Sequence, residues 1–256
     1  MTSQGVSRSL KEMTRKSPDS GEPRTDAAAV AAVTPGMILT SNPGASRWAS
    51  SSTMLAMDHL GGKKLVGEKM WAAFSKKTEA ELFKDAWRIE DIPAECLSHK
   101  EGIYLMQIGK IKHFGEGCAC PMGGLSREFL GHLVLGPKDV VIIDTEAGVE
   151  HLGRGVEKSV DLILVVLDPS YESIRLSEKI SDMAKEGNKP VFFILNKVDE
   201  RSAEILRSKV GTERIAATVP FDAGLMEHGL SGQELDAEVQ GIDKIVDLVQ
   251  TAIPGN

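Results

Sequence analysis

The chain has 256 residues, 41% of them hydrophobic, only three cysteines and a formal net charge of -7. That length supports one large or two small cores without disulfide staples, and an odd, low cysteine count points to a reducing, cytoplasmic setting. The negative balance offers no electrostatic attraction to nucleic acid, and no apolar run approaches the roughly 18 residues that span a bilayer, so neither nucleic acid nor membrane is expected as a partner.

The first 62 residues carry six Lys/Arg against five Asp/Glu, so the remaining 194 hold a net charge of -8. MTSQGVSRSLKEMTRKSPDSGEPRTD and SNPGASRWASSSTM are rich in Ser, Thr, Pro and Gly and show neither a 3.6- nor a 2-residue period. Ala27–Val33, the longest small-residue tract there, follows Glu22 and Asp26 and lacks the longer apolar core of a secretory signal. Residues 1–62 therefore read as an atypical, disordered segment, and 63–256 as the globular domain. Trp71, Phe74 and Phe83 read as packing residues along a helical stretch from Leu65 to Phe83.

From residue 102 onward strands and helices alternate. Gly102–Ile111 has strand composition, Ser126 is placed to cap a helix over 126–135, and Asp139–Gly148 contains an apolar strand ending in Asp144. Asp161–Ser170 and Pro190–Asp199 are further buried strands, separated by an amphipathic helix over 172–189 that turns inward Ile174, Leu176, Ile180 and Met183 and closes at Gly187-Asn188. Ala216–Asp222 is a fourth strand, and Gly241–Ile253 a closing helix. This alternation predicts an α/β fold with a doubly wound, mostly parallel sheet, whose ligands sit beyond the strand C-termini. Asp144, Asp168, Asn196, Asp199 and Asp222 are expected to gather along that edge.

Two features carry chemistry. Cys118 and Cys120, in GEGCACPMGG, supply two thiolates, half of a tetrahedral sulfur site for a divalent metal. The other half comes from a distant Cys or His or from a second copy of the chain; a pair of small, partly buried residues in a Gly-rich turn fits the spacing as well. Cys96 stands apart, with His99 three residues on, and reads as a buried thiol. Asp144 is the candidate carboxylate presented to Mg2+, because an oxygen-loving cation bridges phosphates at such strand ends; a cap for the next turn is the alternative. The Asn196 amide could read a purine edge or close its strand.

GEGCACP, VIIDTEAGVEHLGRG, DLILVVLDPSYESIRLSEKI and FFILNKVDE, in that order, resemble the CooC-type carbon monoxide dehydrogenase maturation ATPases, relatives of the MinD and ParA ATPases. The resemblance runs from about Lys63 to the C-terminus. It implies a P-loop NTPase fold, ATP and Mg2+ as ligands, a homodimer, and nickel delivery to carbon monoxide dehydrogenase as the client enzyme. It assigns Cys118 and Cys120 to a metal site shared between two subunits, filled by Ni2+ or Zn2+. Asp144 takes the catalytic, Mg2+-linked position, and Asn196 and Pro220 flank the nucleotide base.

The departure from that family lies at the other end. No G-K-T or G-K-S occurs in the 256 residues, and GGKK at Gly61–Lys64 lacks the spacing of a phosphate loop, so the first strand and its loop are expected to be missing and ATP binding impaired. Read two bases further on, the Met37-Ile38 codons must begin with Asp, those through Thr40 permit Asp-Pro-Asp, and Ala45–Ala49 permit Leu-Ala-Leu-Gly; the family carries D-x-D-P and A-L-G here. Part of residues 1–62 is therefore a candidate out-of-frame reading. Two other functions remain compatible with the residues: a metal-binding scaffold without nucleotide chemistry, and a GTPase, because Asn196–Asp199 spells N-K-x-D. Glu150 and His151 read as a switch loop rather than ligands, and Arg154 and Lys197 as solvated basic residues.

Overall fold

A computed structural model describes residues 36–40 (as backbone), 53–76, 78, 80, 82–83, 85–100, 102–110, 113–114, 120–136, 139–145, 159–232 and 238–252. The described residues fall into two compact units, one ending at Asp161 and the other beginning at Leu162.

The first unit is built on a four-stranded sheet. Its strands are β1 (Gly36–Thr40), β2 (Leu97–Lys100), β3 (Ile103–Gln107) and β4 (Val140–Asp144), in the spatial order β2-β3-β1-β4. β1 runs parallel to both β3 and β4 through all five of its positions, and β2 closes the far edge antiparallel to β3. A strand thus lies inside the stretch that composition alone reads as unstructured. Three helices accompany the sheet: α1 (Ala56–His59), α2 (Gly62–Lys76) and α3 (Cys120–His132).

The core of this unit gathers Val66 from α2 and Leu125, Phe129 and Leu130 from α3 around Met106, Ile108 and Val141. Phe83 meets Trp87 and Phe129 edge-on, at ring-centroid distances of 5.2 and 5.7 Å, an arrangement that sets the positive edge of one ring against the negative face of another. α2 and α3 approach closely because Gly124 has no side chain: a Cβ there would fall 1.8 Å from the Met70 methyl. Two expectations are corrected. α3 begins at Cys120, six residues before Ser126, whose hydroxyl bonds back to the Met122 carbonyl in mid-helix. α2 ends at Lys76, and Phe83 alone of the three aromatics expected to pack is buried; Trp71 and Phe74 are exposed.

The second unit holds three parallel strands, β5 (Ile163–Leu167), β6 (Val191–Val198) and β7 (Ile215–Pro220), with β6 in the middle. β6 buries Val191, Phe192, Phe193 and Leu195 in near succession, because a central parallel strand is covered on both faces. α4 (Tyr171–Glu186) follows β5, α5 (Glu200–Val210) follows β6, α6 (Ala223–Ser231) follows β7, and α7 (Ile242–Ala252) ends the described chain. α4 turns Ser177, Ile180, Ser181 and Ala184 inward; Ile174, Leu176 and Met183, expected there, are only partly covered. Gly241, at φ +89°, occupies a backbone region costly for other residues, and a Cβ there would sit 3.2 Å from the Thr218 carbonyl oxygen.

Among the described residues β4 pairs only with β1 and β5 only with β6, so each sheet ends in an apolar parallel strand with one open edge. No described helix is long and apolar enough to cross a membrane.

Phe193 is fully buried and carries the Arg214 guanidinium 5.0 Å from its ring centre. Phe193→Ala should lower unfolding stability by about 3–5 kcal/mol. Truncating Ile205, which is 48% exposed on α5, should change it by less than about 1 kcal/mol. Urea titration followed by circular dichroism separates the two.

Candidate functional site

Parallel strands deliver their last residues to one edge, and in the second unit three helices begin there. Asp168 follows β5, Asn196 and Asp199 lie at the end of β6, and Pro220 closes β7. Each following helix is capped by a strand-end side chain. The Ser170 hydroxyl accepts from the Ser173 N–H at 3.2 Å, Asp199 accepts from the Ser202 N–H at 2.7 Å, and Asp222 accepts from the Leu225 N–H at 2.9 Å. The N-termini of α4, α5 and α6 thus share the edge where an anion would be welcome.

Asp168 gathers two hydroxyls. Its Oδ1 accepts from the Ser170 hydroxyl at 2.6 Å and from the Ser173 hydroxyl. Those two donors, with a smaller contribution from Lys197, hold the carboxyl below the ordinary Asp value of 3.8. Ser170 and Ser173 escape a reading of sequence alone because Ser at a helix start signals a cap, and only the fold shows both hydroxyls turned to one carboxylate.

After a register shift between Phe193 and Ile194, β6 pairs with β7 from Ile194, opposite Ala217, to Asn196, opposite Val219, and resumes with Val198 opposite Pro220; Lys197 lies between, at φ +56°. The bulge sets Lys197 in the left-handed region, which a residue with a Cβ seldom enters, and leaves it exposed. Asn196, half-buried, and Pro220, exposed, come together on adjacent strands. Asp199, the last residue of the N-K-x-D pattern, caps α5: its Oδ1 takes the Ser202 N–H while its own N–H donates to the Ser202 hydroxyl.

In the first unit the edge is formed by β3, β1 and β4. Gln107, Thr40 and Asp144 stand level across the three strands. Asp144 is half-buried at the end of VVIID, and Gln107 is one of few buried polar side chains, 7% exposed. The signal for Gln107 was a polar residue closing the apolar run IYLM. A half-buried carboxylate at a strand end is a fitting oxygen ligand for Mg2+. Asp168, Asn196, Asp199 and Asp222 belong to the second unit and Asp144 to the first.

Cys120 is the first residue of α3 and exposed. Cys118 lies outside the described residues, as do Glu150, His151 and Arg154. Among the described residues no three His, Cys, Asp or Glu side chains are grouped to hold a metal ion. Cys96 is 1% exposed, and burial, with a smaller push from Glu95, raises its thiol to about 11, so it stays protonated and is a poor metal ligand.

No protein-family model matches the chain. An uncharacterised ATP-binding protein of Methanocaldococcus jannaschii is 46% identical over 193 residues, 75% of this chain and 77% of the relative. The carbon monoxide dehydrogenase accessory protein CooC of Rhodospirillum rubrum is 34% identical over 154 residues, 58% of each chain. Among solved structures, the cell division ATPase MinD of Pyrococcus furiosus superposes with a TM-score of 0.50 at 13% identity, covering 97% of this chain and 90% of that one, a likeness of fold.

A carboxyl held low by hydrogen bonds stabilises the fold above its unfolded value and loses that contribution as pH falls through the folded one. The Asp168 carboxyl carbon should therefore titrate below 3.8 in a 13C NMR experiment. Ser173→Ala should move the midpoint up toward 3.8 and flatten the loss of stability below about pH 4. An unchanged midpoint in the variant would contradict the network.

Proposed function

Because the chain belongs to the CooC-type group of MinD/ParA-like P-loop ATPases, we propose that it is an ATP-linked, cytoplasmic nickel chaperone that serves carbon monoxide dehydrogenase, with ATP binding impaired in this chain. The observation that supports this most is the C-x-C pair whose second member, Cys120, is exposed at a helix N-terminus. Two thiolates per chain leave a tetrahedral ion half-satisfied, and a two-fold axis supplies the other pair without any new residue. Nickel is the cargo in this reading; zinc would occupy the same four sulfurs.

In the same reading Asp144 would hold Mg2+, which when bound neutralises charge on the phosphates of ATP. Asn196 would present its paired donor and acceptor to the adenine edge, and Pro220 would cover one face of the base. The lysine and the backbone N–H groups of a Gly-rich phosphate loop have no counterpart in the sequence, and these supply most of the grip on a triphosphate. Hydrolysis is therefore expected to be slow. The match with the M. jannaschii relative leaves about a quarter of this chain outside it, in keeping with residues 1–62 as the atypical part. That lack of a phosphate loop also favours a second reading, a metal-binding scaffold that has left nucleotide chemistry behind.

Under reducing conditions the chain should take up one Ni2+ or Zn2+ per two copies, measured by native mass spectrometry, and the uptake should weaken as protons compete for the thiolates at lower pH. Cys118→Ser with Cys120→Ser should abolish it and Cys96→Ala should leave it intact. One metal per single chain, retained after the double substitution, sinks the shared site. Fluorescent ATP should bind weakly and GTP not at all, and restoring a phosphate loop should give turnover that Asp144→Asn removes. Nickel uptake with no ATP binding even after restoration selects the scaffold.

A further inference from the structure

The first unit holds a cavity apart from its strand-end edge. It measures about 20 Å3 and lies between α1, β3 and α3, with Ala56, Phe83, Cys96, Met106, Leu125 and Phe129 in its walls. All six are buried, and the surface they turn to the cavity is almost wholly apolar. His59 is the exposed residue of the lining and marks the outer side, where its Nδ1 lies 3.3 Å from a Glu95 carboxylate oxygen.

Size and chemistry together restrict the occupant. A single water needs about 10–15 Å3, so the space admits slightly more than one water-sized atom. Water itself is poorly served there, because it needs about two to four polar partners, and the buried wall offers a thiol, weak both as donor and as acceptor. Burial pushes that thiol up to about 11, a sign independent of the cavity's shape that Cys96 is held away from water. A charged ligand would shed its hydration and find no partner. What the wall supplies is dispersion, from the Phe83 and Phe129 rings, 5.7 Å apart between centroids, and from the polarisable sulfurs of Cys96 and Met106.

We infer that this cavity is a binding site for a small uncharged apolar molecule of about two heavy atoms, the class of the diatomic gases. Entry runs past α1. That helix is a single turn of four residues, held by the Met57 N–H donating to the Ile108 carbonyl at 2.8 Å and by the His59–Glu95 pair, and both contacts can open locally while the sheet stays paired. The inference stands apart from the metal and nucleotide readings, which assign a role to none of these residues.

The test exposes the full, reduced chain to graded pressures of xenon, a polarisable apolar probe, and follows the xenon resonance together with 13C-labelled methyl groups of Met106 and Leu125. A saturable xenon shift that moves both methyl signals is expected, and carbon monoxide should displace the xenon. Ala56→Leu, which fills the cavity from α1, should weaken xenon binding by about tenfold or more; Cys96→Leu should do the same from the turn before β2. Phe221→Ser, in the other unit, should leave binding unchanged. Thermal melts verify that the variants fold. A xenon shift that rises linearly with pressure, or one that leaves the Met106 and Leu125 methyls unmoved, overturns the inference, and because it is read on the parent it does so whether or not the filled variants fold. Undiminished binding in a filled variant that melts like the parent overturns it too, as does xenon that carbon monoxide cannot displace.

Discussion

A parallel strand covered on both faces has room for polar side chains only at its ends. β6 shows the consequence: Val191, Phe192, Phe193 and Leu195 are buried in close order, and every group able to bond a ligand is pushed to Asn196 and beyond. The same pressure puts Asp168 after β5, Asp144 at the end of β4 and Gln107 at the end of β3. The chemistry of this chain is placed by what the strands exclude, and the helices that return over the sheets bring their N-termini to the same edge.

That placement also separates residues that look equivalent in sequence. Asp168, Asp199 and Asp222 all follow apolar strands, yet Asp199 and Asp222 accept helix N–H groups as caps, whereas Asp168 gathers two hydroxyls and leaves the capping of α4 to Ser170. The N-K-x-D residue Asp199 also has a local role. Ser202 stands three residues after it, the spacing of a reciprocal cap, and the carboxylate caps α5 through Oδ1.

Much of the second unit was legible because its strands are long apolar runs ended by Asp, Asn or Pro, and because α4 and α7 keep a helical period; the expected and observed bounds differ there by a few residues. The start of α3 was hidden by composition. CACPMGG contains Pro and two Gly, which argue for a turn, but Pro is welcome in the first helical turn where its missing N–H costs nothing, and Gly124 is required by Met70 of the neighbouring helix. Trp71 and Phe74 were misread for the opposite reason: their spacing suits a buried face, and spacing cannot reveal that Val66 and Ala73 already fill the inward side.

β1 is the instructive failure. GMILT sits in a segment with no periodicity of its own, yet it pairs on both sides, with β3 and β4. Parallel pairing is made by backbone N–H and C=O groups, which every residue but proline possesses, so a short apolar stretch flanked by turn residues can complete a ladder whatever its origin. Chemistry is less forgiving. The register sets Thr40 level with Gln107 and Asp144. A neutral residue there keeps the ladder intact and adds no carboxylate beside Asp144. Pairing at that edge is thus indifferent to side-chain identity, while any Mg2+ chemistry there is not.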